Sequence, residues 1–107
     1  MSTTDTSVDQ ELLATVLRIA TEVAGPNSDD VDRSARFPQE TVDALREAKA
    51  LSALIPTSLG GGGASFEAIA ESCFELGRKC GASGMVFAMH QIQIACMTRH
   101  LDGSACP

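Results

Sequence analysis

The sequence predicts an all-α fold built from four helices. Apolar residues recur at spacings of three and four over four separate stretches, the period of a helix with a buried face. Nowhere do apolar and polar residues alternate with the period of two that marks a half-buried strand. Capping hydroxyls and glycine or proline stops fall near the ends of the four stretches.

The first helix is expected to start at Ser7, because Ser7 and Gln10 have the S-x-x-Q spacing of a capping box. Residues 1–6 are then a disordered tail. Val8, Leu12, Val16, Ile19 and Val23 form the apolar stripe, widened by Leu13, Leu17, Ala20 and Ala24. Gly25-Pro26 predicts a stop, since glycine accepts the left-handed cap and proline cannot donate onward. Residues 27–36 read as a polar loop.

The second helix opens at Pro38, whose missing N–H costs nothing in a first turn. Gln39, Glu40 and Asp43 follow where negative charge suits the helix dipole. Val42, Leu45 and Ala48 give it a narrow apolar face, and it ends near Lys49. Residues 51–56 are an apolar connector, and Gly60-Gly61-Gly62-Gly63 excludes regular structure.

Ser65 is placed to cap the third helix. Phe66, Ile69, Ala70, Cys73, Phe74 and Gly77 are assigned to its inner side, with Glu67, Glu71, Glu75 and Arg78 outside, and Gly81 ends it. The fourth helix runs from a Ser83 cap to about His100. Its run from Met85 to Met97 leaves almost no polar face. A helix apolar on nearly all sides is buried on nearly all sides. Three other helices can hardly surround it, so another domain or another chain is expected. Gln91 and Gln93 are assigned to different sides of this helix, where they would meet those absent parts. The helical domain therefore covers residues 7–101, and 102–107 form an irregular tail.

The chain has 107 residues, of which 44% are hydrophobic and 21% charged, the composition of one globular domain and not of a disordered chain. With no Trp or Tyr and four Phe, its core must be aliphatic. The net charge is -6, with eight Lys and Arg in total. No basic stripe is present to release counterions, so neither nucleic acid nor an anionic membrane is an expected partner. The N-terminus lacks the basic-then-apolar order of a signal peptide. No uncharged apolar run is long enough to span a membrane. These features predict a cytoplasmic protein whose Cys73, Cys80, Cys96 and Cys106 are free thiols.

Few residues group into a chemical constellation. The glycine run could aim backbone N–H groups at a phosphate. It lacks the third glycine of a dinucleotide loop, where Ser65 stands, and the Gly-Lys-Ser/Thr of a nucleotide P-loop. A structural turn is the preferred reading. Cys73 and Cys80 lie about 10 Å apart on one helix face, too far for a disulfide. Cys96 and His100 are one half of a metal site with no second half, so no metal site is assigned. The loop and helix-face carboxylates lie in no apolar setting that would tune them for acid–base work. His90, on the buried fourth helix, is a core histidine bonded to a neighbouring carbonyl or a pocket residue.

Three segments together resemble one family. They are Arg36-Phe37-Pro38-Gln39-Glu40 with the helix through Leu45; Leu54-Ile55-Pro56 with Leu59-Gly60-Gly61-Gly62-Gly63-Ala64-Ser65; and Glu71 with its helix, Ala82-Ser83 and the apolar run to Met89-His90. This order is similar to the N-terminal helical domain of the acyl-CoA dehydrogenase superfamily, over roughly residues 20–100. The resemblance implies an FAD-dependent parent reaction that oxidises the CH–CH bond of an acyl-CoA. A carboxylate removes the α-proton and the flavin takes the β-hydride. It implies that the base and most flavin contacts belong to a middle β-domain and a C-terminal helical domain. This chain is then a fragment, truncated or from an interrupted frame, with no catalytic or cofactor-binding residue of its own. It is not expected to bind FAD alone, and its complete form would be a homo-oligomer. The resemblance places Met85, Met89 and His90 on the wall of the substrate pocket. A flavin-dependent monooxygenase of the same fold and a non-enzymatic helical interaction module are the alternatives. Lys49 departs from the family pattern, which has glycine at the end of the second helix.

Overall fold

A computed structural model describes residues 3–99, with side chains described over residues 7–99. Residues 1–2 and 100–107 lie outside this range. With them go His100, Cys106, the expected tail at 102–107 and the first two residues of the tail at 1–6.

The described residues are all-α, without a strand. Five α-helical segments form four rods: α1 (Thr3–Ile19) continued by α2 (Gly25–Arg33), α3 (Gln39–Glu47), α4 (Phe66–Lys79) and α5 (Gly81–Arg99). Two short 3₁₀ turns, Ala50–Ser52 and Thr57–Leu59, lie between α3 and α4.

The first rod corrects two expectations. Helix α1 begins at Thr3, so Ser7 lies inside it and caps nothing. Residues 3–6 contain no glycine or proline to stop a helix. Nor does Gly25-Pro26 stop the helix. Residues Ala20–Ala24 widen into a π-helical turn, and the Gly25 N–H donates to the Ala20 carbonyl five residues back. A proline ring would otherwise strike the carbonyl four residues before it; the wider turn makes room. Helix α2 then consumes most of the predicted polar loop, with Val31 buried.

Helix α3 starts one residue after Pro38 and ends two residues before Lys49, which takes φ 62° and ψ 23° in the left-handed region. The glycine loop folds back on the connector. Gly61, Gly62, Gly63 and Ala64 donate to the carbonyls of Pro56, Ser52, Ile55 and Ala53. A side chain at Gly61 would collide with the Ile55 backbone, so a β-carbon cannot be accommodated there. Ser65 caps α4 as expected, its Oγ accepting from the Ala68 N–H at 3.1 Å.

Helices α4 and α5 form an antiparallel hairpin with Cys80 extended at the corner. Gly84 lies directly on the Gly77 backbone and the Cys73 carbonyl, where a β-carbon would come within 2.7 Å of the Gly77 Cα. Ser83 does not cap α5. It is buried, and its hydroxyl donates to the Thr41 hydroxyl at 3.0 Å, tying α5 to α3. The inner face of α4 is also rotated from the expected one. Ala68, Ile69, Ser72 and Leu76 are buried, while Phe66 and Phe74 are 64% and 63% exposed. The reason is packing on two sides: α1 takes one face of α4 and α5 another, leaving the phenylalanines between them uncovered.

Val16, Ile19, Leu45, Leu76 and Phe87 are the fully buried centre of the core. Each removes enough apolar surface from water to contribute about 1.5–3 kcal/mol.

Candidate functional site

Helix α5 is the element on which a site can be built. From Gly81 to Thr98 it carries no charged side chain. One side, through Gly84, Phe87, Gln91 and Ile94, is buried against the rest of the chain. The opposite side is open: Met85, Met89 and Ile92 are 62%, 55% and 60% exposed. Positions 85, 89 and 92 follow helical spacing of four and three, so they share one face. The chain thus buries half of its most apolar helix and leaves the other half bare.

The three expected pocket residues do not converge. Met85 and Met89 stand one turn apart on the open face. His90 lies about 100° further round the helix, half-buried at the boundary. Its Nε2 sits 2.8 Å from the Leu51 carbonyl oxygen. Since a carbonyl only accepts, Nε2 carries the hydrogen, and the neutral ring keeps its lone pair on Nδ1. The carbonyl-bonded form of His90 is therefore the one the chain adopts.

The next residue makes a parallel contact. Gln91 donates through Nε2 to the Ala50 carbonyl at 3.1 Å. Two consecutive side chains of α5 thereby hold two consecutive carbonyls of the 3₁₀ turn. Gln91 is only 2% exposed, which corrects its assignment to a surface meeting absent parts. Gln93, by contrast, is exposed. The Gln91 Oε1 is buried and has no donor among the described residues.

Beside the open face, α4 and α5 enclose an apolar groove of about 330 Å³. Leu54, Phe66, Ile69, Cys73, Gln91 and Ile92 line it; Met85, Met89 and His90 do not. Burial raises the Cys73 thiol above its ordinary pKa, so the proton stays on sulfur.

The glycine run offers no anion cradle. Every N–H from Gly60 to Ser65 is already donated, Gly60 to Thr57, the next four to the connector, and Ser65 to the Asp9 carboxylate at 2.8 Å. A flavin pyrophosphate would find no free donor in that loop. The residues present there do not fit the cofactor's phosphates.

Sequence reasoning missed the Gln91–Ala50 bond, the Thr41–Ser83 pair and the Asp9–Ser65 contact. Each works across 41, 42 or 56 residues of chain, and spacing along one helix carries no signal of such contacts.

A family model described as "Acyl-CoA dehydrogenase, N-terminal domain" matches residues 6–105. A 3-sulfinopropanoyl-CoA desulfinase of Paraburkholderia xenovorans (strain LB400) is 35% identical over 81 residues, covering 76% of this chain and 21% of that protein. The chain therefore spans about a fifth of the length of this relative. No solved structure matches it.

Proposed function

The chain belongs to the acyl-CoA dehydrogenase family through its N-terminal domain, and from that premise we propose that it is one helical wall of an FAD-dependent oxidoreductase acting on acyl-CoA. The observation that carries this reading is the half-bare helix α5, with Met85 and Met89 exposed on an uncharged face. A helix so apolar requires a second covering layer. In this reading that layer is further polypeptide, either a middle and a C-terminal domain or another subunit, and the acyl chain lies between.

Each pocket residue then has a defined part. Met85 and Met89 give an adaptable apolar surface that excludes water. His90 sits at the edge with a fixed tautomer and a free Nδ1 acceptor. Among the described residues no carboxylate lines the groove or lies on α5, so in this reading the base comes from outside the chain. The flavin, when bound by the other parts, supplies the redox chemistry. The desulfinase relative is named for a CoA thioester, which supports that ligand class. Oxidation at the CH–CH bond is our reading among the reactions of the family, and monooxygenation is the alternative. The proposed compartment is the cytoplasm; no helix among the described residues is long and apolar enough to cross a membrane.

The test is a flavin and activity assay on the purified chain. We expect no FAD absorbance and no dye reduction with acyl-CoA substrates from the chain alone. Addition of the separately expressed remainder of a family member should restore both. A chain that is yellow and active alone would overturn this division of labour. A monodisperse, cooperatively unfolding chain indifferent to flavin and to the remainder would favour the interaction module.

A further inference from the structure

We propose that the cavity between α1 and the turn after α3 binds a small aliphatic α-amino acid, its carboxylate on Lys49 and its ammonium group on Glu11. The proposal does not rest on the acyl-CoA reading.

Small side chains leave the space. Ala50, Ala53 and Ala64, all buried, form the inner wall where the 3₁₀ turn and the glycine loop meet. Helix α1 supplies the facing wall through Glu11, Leu12 and Thr15. The loop is tied in place, because the Gly62 and Ala64 N–H groups donate to the Ser52 and Ala53 carbonyls. The cavity holds about 250 Å³. That lies a little below the range of about 300–1,000 Å³ for drug-sized sites, so it suits a ligand of amino-acid size.

The rim carries one charge of each sign. Glu11 stands on α1 and Lys49 on the turn, and both are exposed. The ion pairs among the described residues involve Arg18, Arg36, Arg46 and Arg78; neither Glu11 nor Lys49 takes part in one. Opposite charges that share a cavity without meeting leave their attraction to a third molecule. An anion alone would be repelled by Glu11, and a cation alone by Lys49. A ligand with a carboxylate and an ammonium group on one carbon answers both. The buried Leu12 and the three alanines take its aliphatic side chain out of water.

The backbone at Lys49 is an independent observation. Its φ of 62° lies where glycine is favoured, so a lysine stands there at a conformational cost. No side-chain bond of Lys49 among the described residues offsets that cost. Strain of this kind concentrates at ligand clamps and active sites. A ligand carboxylate supplies the partner that the lysine otherwise lacks.

Leucine is the probe, titrated into the 107-residue chain by calorimetry. Isocaproate and isoamylamine, the same skeleton without the ammonium or without the carboxylate, are the controls. We expect leucine to bind in the millimolar range, weakly because both charges face solvent. Each control should bind about tenfold more weakly still. In ¹⁵N spectra leucine should move the backbone amides of Lys49, Ala50 and Gly62 and leave that of Met89 unmoved. Lys49→Gly and Glu11→Gln, both at exposed positions, should each weaken leucine about tenfold with the helical circular dichroism unchanged. Lys49→Gly would then lose the ligand while gaining stability, a combination that a merely structural lysine does not give. Unchanged leucine affinity in either variant, or a control that binds as tightly as leucine, would overturn the zwitterion assignment. No heat and no amide shift with leucine would overturn the site itself.

Discussion

The His90 imidazole and the Leu51 carbonyl, 39 residues apart, meet at 2.8 Å. The bond joins the middle of α5 to the 3₁₀ turn that follows α3. It also settles where the proton sits on a neutral ring, because only a protonated Nε2 can face a carbonyl.

We expect ¹⁵N NMR of the neutral side chain to show the Nε2–H tautomer as the dominant species. His90→Ala should cost about 1 kcal/mol in urea unfolding, the worth of one hydrogen bond in partly buried surroundings. A dominant Nδ1–H signal would break the assignment.

Asp9 and Ser65 make the longest-range polar contact described. One carboxylate oxygen accepts the Ser65 N–H at 2.8 Å and the other its hydroxyl at 2.6 Å, while the same hydroxyl oxygen caps Ala68. Asp9→Ala should cost about 1–2 kcal/mol and Ser65→Ala about as much. Because both remove parts of one network, the double variant should cost clearly less than the sum. Additive urea midpoints would show the two groups to be independent.

Arg36 bridges two helices, its Nε on Asp30 of α2 and its Nη1 on Glu40 of α3 at 2.8 Å. Hydrogen bonds to the guanidinium hold Asp30 below its ordinary 3.8 and Glu40 below its ordinary 4.5. A carboxylate whose folded pKa is depressed adds stability above its unfolded pKa and loses it as pH falls through the folded value. The contribution is therefore complete above about pH 5 and fades below it. Arg36→Gln should flatten the acid limb of the stability profile while leaving its slope between pH 6 and 8, taken as a neutral window of about two units, unchanged. Both carboxylates are exposed, so the effect should shrink in high salt.

Much of the fold was legible because it is local. The stripe from Leu12 to Val23 and the Ser65 cap each depend on residues within one or two turns. Gly25-Pro26 misled for a physical reason: proline forbids an ordinary helical turn, not a π-turn, and spacing alone does not distinguish them. Helix α4 misled because it packs on two neighbours, so its apolar residues do not define one inside. Of the site, the apolar excess of α5 was readable, and one side of that helix is indeed exposed through Met85, Met89 and Ile92. The pairing of His90 with Leu51 and of Gln91 with Ala50 was not, since tertiary contacts set it. The left-handed strain at Lys49 was readable, because a glycine was expected where a lysine stands.

That position yields the last prediction. Lys49 has φ 62°, a conformation in which an L side chain crowds the following carbonyl at a cost of about 1–2 kcal/mol. No side-chain hydrogen bond is described for Lys49 that would offset this; the turn is held by its backbone N–H, which donates to Arg46 at 3.0 Å. Glycine relieves the strain but adds freedom to the unfolded chain, which returns about 0.4–1 kcal/mol. Lys49→Gly should therefore stabilise the chain by roughly 0.5–1 kcal/mol, the difference of the two terms. The change should appear as a higher urea midpoint at constant slope. Lys49→Ala keeps the β-carbon and should give none of it. Equal midpoints for the glycine and alanine variants would mean that the lysine chain, not the backbone, sets the energy of this turn.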